Sequence, residues 1–524
     1  MILLRWITIT LFFVLVATLS IHSLNSINQD IGRHFKSGEI IWETKSVYKT
    51  NLFSFTEPDH PFINHHWLSE VVFFLLNGLI GLKGLIIFKA ALIVAAFFLI
   101  FAGIRKFTGI IPFLIAGIFG ILVFSSRTDV RPEIFSYLFL SCFLFAIFRA
   151  KYSNEIKWLY ALPIVQIFWT NMHIYFALGP GLLFFFLIDR LVHSPTPIPA
   201  KSQRASLFTL FTKMPFVIFI LTSLATLINP NFIRGALAPL TILRNYGYSI
   251  VENQSIFFLT DYGIHLRDIY FFELSLIVLI LSFVVAFRNH KKVVFEFLMA
   301  VAFMILAGKM IRNLGVYALV FVPIVVSNLS TIKPARISGL AITRDYYFSK
   351  LTMPILIGFI VLFGWLIKST TNNNLHQWLG TPKKFGLGIP DGAASAVRFV
   401  QENRIAGPVF NNFDVGNFLI WKLPEEKVFV DGRPEAYSVD FFEKIYKPMQ
   451  EDPTLWQKYS EKYKINYVFF AHTDMTPWAR TFLAYISQNK IWPLIYLDNS
   501  TAIFIKRTPG NRELIKKFEI NQAP

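Results

Sequence analysis

At 524 residues, 54% hydrophobic, 17% aromatic and only 16% charged, the chain lies far from the roughly 25% charged content of soluble globular proteins, and a polytopic membrane protein follows. The formal charge of +18 does not point to nucleic acid, because Lys and Arg fall in short clusters between apolar runs, where they orient helices in a bilayer. A single cysteine, Cys142, excludes an internal disulfide and a cysteine metal cluster.

Arg5 opens an apolar stretch with no A-x-A-like cleavage site after it, so the first twenty residues read as an uncleaved span. About eleven runs approach the roughly 20 apolar residues that cross a bilayer. They lie near 5 to 24, 84 to 104, 110 to 124, 134 to 148, 158 to 171, 174 to 190, 206 to 228, 269 to 287, 293 to 310, 314 to 332 and 351 to 368. The segment 67-WLSEVVFFLLNGLIG-81, flanked by a Gly-Leu-Lys-Gly turn, either spans or lies half-inserted. If it does not span, one side collects the basic clusters at Arg105 and Lys106, Arg149 to Lys157, Arg190 to Arg204, Arg288 to Lys292 and Lys333 to Lys350. That side is then cytoplasmic, which sets the N-terminus inside and the C-terminal region outside.

From about residue 370 the composition shifts, and 370–524 reads as an extracytoplasmic α/β domain after a transmembrane domain of 1–369 with its first outer loop at 25–83. GPVF (407 to 410), KVFV (427 to 430), NYVFFA (466 to 471), WPLIYL and TAIFIK read as strands. Asp391, Asp414, Asp452 before Pro453 and Thr476 before Pro477 read as helix N-caps.

On the outer face, the first loop gathers Asp30, Arg33, His34, Glu39, His60, His65, His66 and Glu70. Asp30 lies close to the end of the first span, where a carboxylate is costly and an ionisable group is a functional candidate. Desolvation suits it to take a proton from an acceptor, with Arg33 and His34 as supports, whereas Glu39 reads as ordinary loop. The turn 127-RTDVRPE-133 offers two readings. Its arginines are paired at the membrane interface, or Arg127 and Arg131 fork a phosphate while Asp129 or Glu133 holds a divalent cation or orients the arginines. Asn171 and His173 break an apolar hairpin, and Lys309 and Arg312 close the ninth span, with Arg234, Arg244 and Arg267 in the 229 to 268 loop. These outward cations suit an anionic lipid headgroup. The histidines lack an H-E-x-x-H spacing, and no P-loop or dinucleotide fingerprint is present. In the C-terminal region, 411-NNFDVGNFLIW-421 and 431-DGRPEAY-437 follow strands, where ligand-facing loops of α/β folds lie.

The acid after the first span, the amphipathic segment ending in 64-NHHWLSE-70, the charged turn 127-RTDVRPE-133 and the W-x-N-x-H break together resemble the GT-C class of membrane glycosyltransferases. The class includes the protein O-mannosyltransferases and the lipid A aminoarabinose transferase, and the likeness covers roughly residues 1 to 330. Segments such as 30-DIGRH-34 and 431-DGRPEAY-437 are similar to those of bacterial members of unassigned substrate. The resemblance implies inverting transfer of a sugar from a polyprenyl-phosphate donor to a lipid, glycan or protein acceptor at the outer face of the cytoplasmic membrane. It implies Asp30 as base, and Arg127, Asp129, Arg131 and Glu133 at the donor phosphate or at a Mg or Mn ion. The chain departs from the class in having Gln29 and Ile31, not a second acid, beside Asp30. Two rivals stand beside this reading. One is a lipid or glycan transporter or flippase, which would want charges deep in spans, where Lys89, Lys213 and Glu296 are the main ones. The other is a non-catalytic scaffold presenting the outer domain.

Overall fold

The computed structural model describes residues 1–24, 30–193, 214–241, 244–264, 266–330 and 344–520. Gln29, Lys213, the start of the run expected from 206 and the cations expected at 194–213 and 331–343 lie outside these residues. From the N-terminus the chain forms α1 (Ile2–Ser20), α2 (Ile31–Thr44), α3 (Trp67–Ile104), α4 (Ile110–Phe124) and α5 (Glu133–Ser153). The described residues divide into two compact units. One comprises Met1–Ser23, Ile86–Pro239 and Ile250–Gly388; the other comprises Leu24–Leu85, Leu240–Ser249 and Ile389–Pro524.

Polytopic helical architecture is evident, with eight described helical segments long and apolar enough to cross a membrane. They are Ile2–Ser20, Trp67–Ile104, Ile110–Arg127, Glu133–Ser153, Ile174–Val192, Arg267–Arg288, Ile311–Leu329 and Thr352–Thr371. Of the other three expected runs, those at 158 to 171 and 293 to 310 form shorter helices, and the one from 206 is described only from Met214. The run at 158 to 171 is 3-10 over Ile156–Ala161 and α-helical only over Leu162–Met172, because Pro163 suits a first helical turn and His173 turns extended. Met214–Ala225 and Val294–Lys309 have 12 and 16 residues. The Gly-Leu-Lys-Gly turn appears as a break inside α3, where Gly81 has φ 66°, a region that glycine enters without a Cβ penalty.

In the first unit, Thr8, Thr18 and Ser20 of α1 turn their hydroxyls onto the carbonyls of Leu4, Val14 and Val16, which lets polar residues ride an apolar helix. Phe12 meets Phe97, Phe113 and Phe363 at ring separations of 5.0 to 6.2 Å. The Leu314–Leu329 helix is buried over nearly its whole length. Packing between helices in lipid depends on shape fit more than on water exclusion, and a Cβ at Gly120 of α4 would lie 2.6 Å from Val322 of that helix. A polar clasp ties that helix to three others. Lys151 of α5 lies 2.8 Å from both Asp189 and Glu296, Tyr152 donates to Glu296, and Lys291 donates to the Ser327 carbonyl at 2.7 Å. Glu296 therefore sits in a first helical turn, not at the middle of a span.

The second unit centres on a four-stranded sheet in the order β1 (Val409–Asn411), β2 (Tyr467–Ala471), β4 (Thr501–Ile505), β3 (Leu494–Leu497). β1 and β2 are parallel; the other pairs are antiparallel. KVFV stays outside this sheet, because its edge is taken by the first loop: Val428 N donates to Phe53 O at 3.0 Å and Phe55 N donates to Val428 O at 3.3 Å. Asp452 caps the Pro453–Lys462 helix through Thr454 N and Leu455 N, and Thr476 stands at the N-cap of Pro477–Ile486. Asp414 and Asp391 are not N-caps. Asn412 precedes the Phe413–Lys422 helix and places Asp414 in its first turn, while Ala393 precedes Ala394–Glu402 and Asp391 pairs with Arg398.

Candidate functional site

In the second unit, α2 runs between the start of α3 and the Phe413–Lys422 helix, and two glycines allow the approach. A Cβ at Gly38 would lie 2.1 Å from Glu70 O, and one at Gly32 would lie 2.8 Å from Asn417 O. Glu70, fully buried, accepts from Arg33 Nη1 at 3.1 Å, His34 Nδ1 at 2.9 Å and Asn64 Nδ2 at 2.6 Å. A carboxylate only accepts, so His34 carries its proton on Nδ1. Burial and Arg33 push His34 below its usual pKa, and its neutral Nε2 faces Arg33 Nη2 at 3.4 Å. The His65 and His66 rings lie 4.2 Å apart, with His66 edge-on to His34 at 5.9 Å.

Asp30 stands at the N-cap position of α2, but its carboxylate turns elsewhere: Oδ1 accepts from Asn417 Nδ2 at 2.7 Å. Asn417 Oδ1 in turn accepts from Gly432 N at 3.2 Å. The Phe413–Lys422 helix therefore bonds the first-loop acid directly, and the loop after KVFV is linked to it through Asn417. Beyond Gly432, Arg433 Nε and Nη2 lie 2.7 Å from the two oxygens of Asp431, all buried, and Nη2 donates to Asn51 at 2.8 Å. Although burial opposes its ionisation, Arg433 holds Asp431 below the usual carboxylate range. Asp414, in the first turn of the Phe413–Lys422 helix, is pushed up to about 6 by burial and by the charges of Asp474 and Asp30.

In the first unit the charged turn divides between two partners. Glu252, from the 229 to 268 loop, lies 3.5 Å from Arg127 Nη1 and 2.5 Å from Arg131 Nη1, and Arg312 Nη1 donates to the adjacent Asn253 at 2.9 Å. Burial opposes the charge on Glu252, yet Arg131 and Arg127 bring it down to about 2. Among the described residues, Arg127 Nε and Arg312 Nε are buried without a hydrogen-bond partner. Asp129 does not join Glu252. It lies 3.5 Å from Lys383 and 3.8 Å from His22, whose Nε2 is 2.9 Å from the Thr128 carbonyl and 3.2 Å from Lys89 Nζ. Against burial, Lys383 and His22 hold Asp129 below the usual range; burial, Lys383 and Lys89 bring His22 down to about 3. Lys89 is thus a member of a buried charge group at the turn.

His173 and Asn171 bond to other segments of the first unit. His173 Nδ1 lies 2.8 Å from Ser136 Oγ, to which Trp169 Nε1 also donates, and Asn171 donates to the Ile167 and Ile228 carbonyls at 2.8 Å. Lys309 is exposed at the end of its helix. Among the described residues no three of His, Cys, Asp and Glu converge to hold a metal ion, and both carboxylates of the charged turn face cations. Sequence reading passed over Glu252, His22, Lys383 and Asn417. Glu252 carried the one usable signal, an acid in a loop otherwise marked by arginines.

Neither a protein-family model nor a curated protein matches the sequence. Solved structures do. The archaeal oligosaccharyltransferase AglB from Archaeoglobus fulgidus, in complex with an inhibitory peptide and a dolichol-phosphate, is similar at a TM-score of 0.55 and 11% identity, over 96% of this chain and 74% of that one. The Archaeoglobus fulgidus oligosaccharyltransferase in the apo form gives 0.56 and 12%, with the same coverage. ArnT from Cupriavidus metallidurans bound to undecaprenyl phosphate gives 0.53 and 12%, over 97% of this chain and 98% of that one. The chain has the GT-C fold. In this fold the first-loop acid and the charged turn expected from the sequence are each embedded in a built polar group, but their principal partners come from far along the chain.

Proposed function

We propose that the protein is a membrane glycosyltransferase that moves a sugar from a polyprenyl-phosphate donor to an envelope lipid, glycan or protein at the outer face of the cytoplasmic membrane. The observation that carries the reading is the arginine group: Arg127, Arg131 and Arg312 gathered around Glu252, two of them with a buried Nε unpartnered among the described residues, in a chain of this fold. Planar guanidiniums match phosphate oxygens bidentately. The lipids named with the structural neighbours, a dolichol-phosphate and undecaprenyl phosphate, are of that chemistry.

In this reading Asp30 takes the proton of the acceptor O–H or N–H while the acceptor atom attacks the anomeric carbon. The bond from that carbon to the phosphate oxygen breaks, and its electron pair leaves on the polyprenyl phosphate. The arginines meet the charge that grows there, the stage at which fixed cations lower a barrier most. One displacement from the face opposite the leaving group inverts the anomeric centre. Arg33, His34 and Glu70 fix the start of α2, and with it Asp30. The distribution of basic residues supports the N-terminus inside and the C-terminal region outside.

The test is turnover of undecaprenyl-phosphate-linked glucose, mannose and 4-amino-arabinose by the full chain in native membranes, followed as release of undecaprenyl phosphate. Asp30→Asn is expected to abolish release, and Arg131→Ala to raise KM for the lipid by about 10-fold or more. Full activity in Asp30→Asn, or no release from any of these lipids by the unaltered chain, would overturn the reading.

A further inference from the structure

The geometry points to Asn417, in the C-terminal region, as the positioning residue for the Asp30 carboxylate, an inference that rests on Asp30 being the base. Asn417 Nδ2 donates to Asp30 Oδ1 at 2.7 Å, and its own Oδ1 is fixed by Gly432 N at 3.2 Å. The amide is thus held from one end and aimed from the other. Gly432 has no room for a side chain: a Cβ would lie 2.3 Å from Asn417 Nδ2 and 3.2 Å from Asp30 Oδ1. Gly32, in the first turn of α2, brings that helix against the same residue, since a Cβ there would lie 2.8 Å from Asn417 O. Asn417 is 4% exposed and has both ends of its amide engaged, so its donor is fixed before substrate arrives.

A donor held on a carboxylate favours the ionised form, which keeps Asp30 competent to accept a proton. Arg33 and His34 on α2 and Glu70 on α3 form the adjoining charged group. From the C-terminal region, Asp414 and Asp474 add negative charge, and Asp431 with Arg433 forms a closed pair.

The experiment titrates Asp30 in the full chain in detergent by its reaction with dicyclohexylcarbodiimide, which modifies protonated carboxyls, with the adduct quantified by peptide mass spectrometry. Asn417→Ala is expected to move the midpoint of Asp30 labelling upward by about one to two pH units. Asn417→Asp keeps an acceptor for Gly432 N and replaces the donor with a carboxylate, so it is expected to move the midpoint at least as far even if Asn417→Ala folds poorly. A midpoint unmoved in the folded variant overturns the inference. Turnover by Asp30→Asn separates the two levels: retained activity sinks the base assignment itself, whereas lost activity with an unmoved labelling midpoint sinks the role of Asn417 alone.

Discussion

Replacing Arg433 by Met tests how the second unit is locked. Arg433 is 1% exposed, reaches both oxygens of Asp431 at 2.7 Å and Asn51 at 2.8 Å, and lies 4.8 and 5.1 Å from the ring centres of Phe62 and Phe53. Methionine keeps much of the volume, so the cavity term is small. The dominant cost is the Asp431 carboxylate, left fully buried without its cation, which is about 3–5 kcal/mol. The orphaned Asn51 acceptor adds about 1 kcal/mol. Arg433 holds Asp431 below the usual carboxylate range, so the pair stabilises the fold above about pH 4 and loses that contribution as pH falls through the lowered value. In Arg433→Met the penalty grows as pH rises and the stranded carboxyl is forced to ionise. Intrinsic fluorescence of the 11 tryptophans during thermal unfolding in detergent reads this out. Arg433→Met should unfold well below the unaltered chain at pH 8 and closer to it at pH 4.5, while adding Asp431→Asn should restore about half of the loss at pH 8. Equal unfolding temperatures for Arg433→Met and the unaltered chain at pH 8, or no recovery in the double variant, would refute the reasoning.

Gly38→Ala should prevent α2 from seating on α3, because its Cβ meets the Glu70 carbonyl at 2.1 Å; a loss of more than about 3 kcal/mol, seen as early unfolding of the full chain, is the expected result. Asp414, raised to about 6, destabilises the native state increasingly as pH climbs from its unfolded value toward 6. Asp414→Asn should remove that slope, gaining on the order of 2 kcal/mol at pH 7 and nothing near pH 4, as measured by unfolding at the two pH values. Glu252, brought to about 2, contributes stability present above about pH 4.5 and lost as pH falls through the lowered value. Glu252→Gln should cost on the order of 1–3 kcal/mol at neutral pH and, by releasing Arg127 and Arg131, lower KM for the lipid donor in the turnover assay.

The membrane class was legible because composition alone excludes a soluble fold, and the long apolar runs behaved as length and hydropathy require. The run at 158 to 171 misled because hydropathy does not register the extended backbone at His173 or the helix start beside Pro163. KVFV has the alternation of a strand, but alternation does not say which chain segment takes its edge, and here residues 53–55 do. Asp30, Arg33 and His34 were visible through their place beside the first span. Asn417 was not, since an asparagine in 411-NNFDVGNFLIW-421 reads as turn chemistry until the chain folds back over hundreds of residues. The charged turn was visible as a cluster, whereas its division between Glu252 and Lys383 depends on contacts no local pattern encodes.

The hydrogen bond from Asn417 to Asp30 joins residues 387 apart in the chain. At about 5–20 residues per second of synthesis, the acid emerges roughly 20–80 s before its partner exists. The second unit, assembled from residues 24–85, 240–249 and 389–524, therefore closes only after its third segment has left the ribosome. Chains that stop short of residue 417 cannot make this hydrogen bond, so the surroundings of an acid near the start of the chain depend on a segment translated long after it.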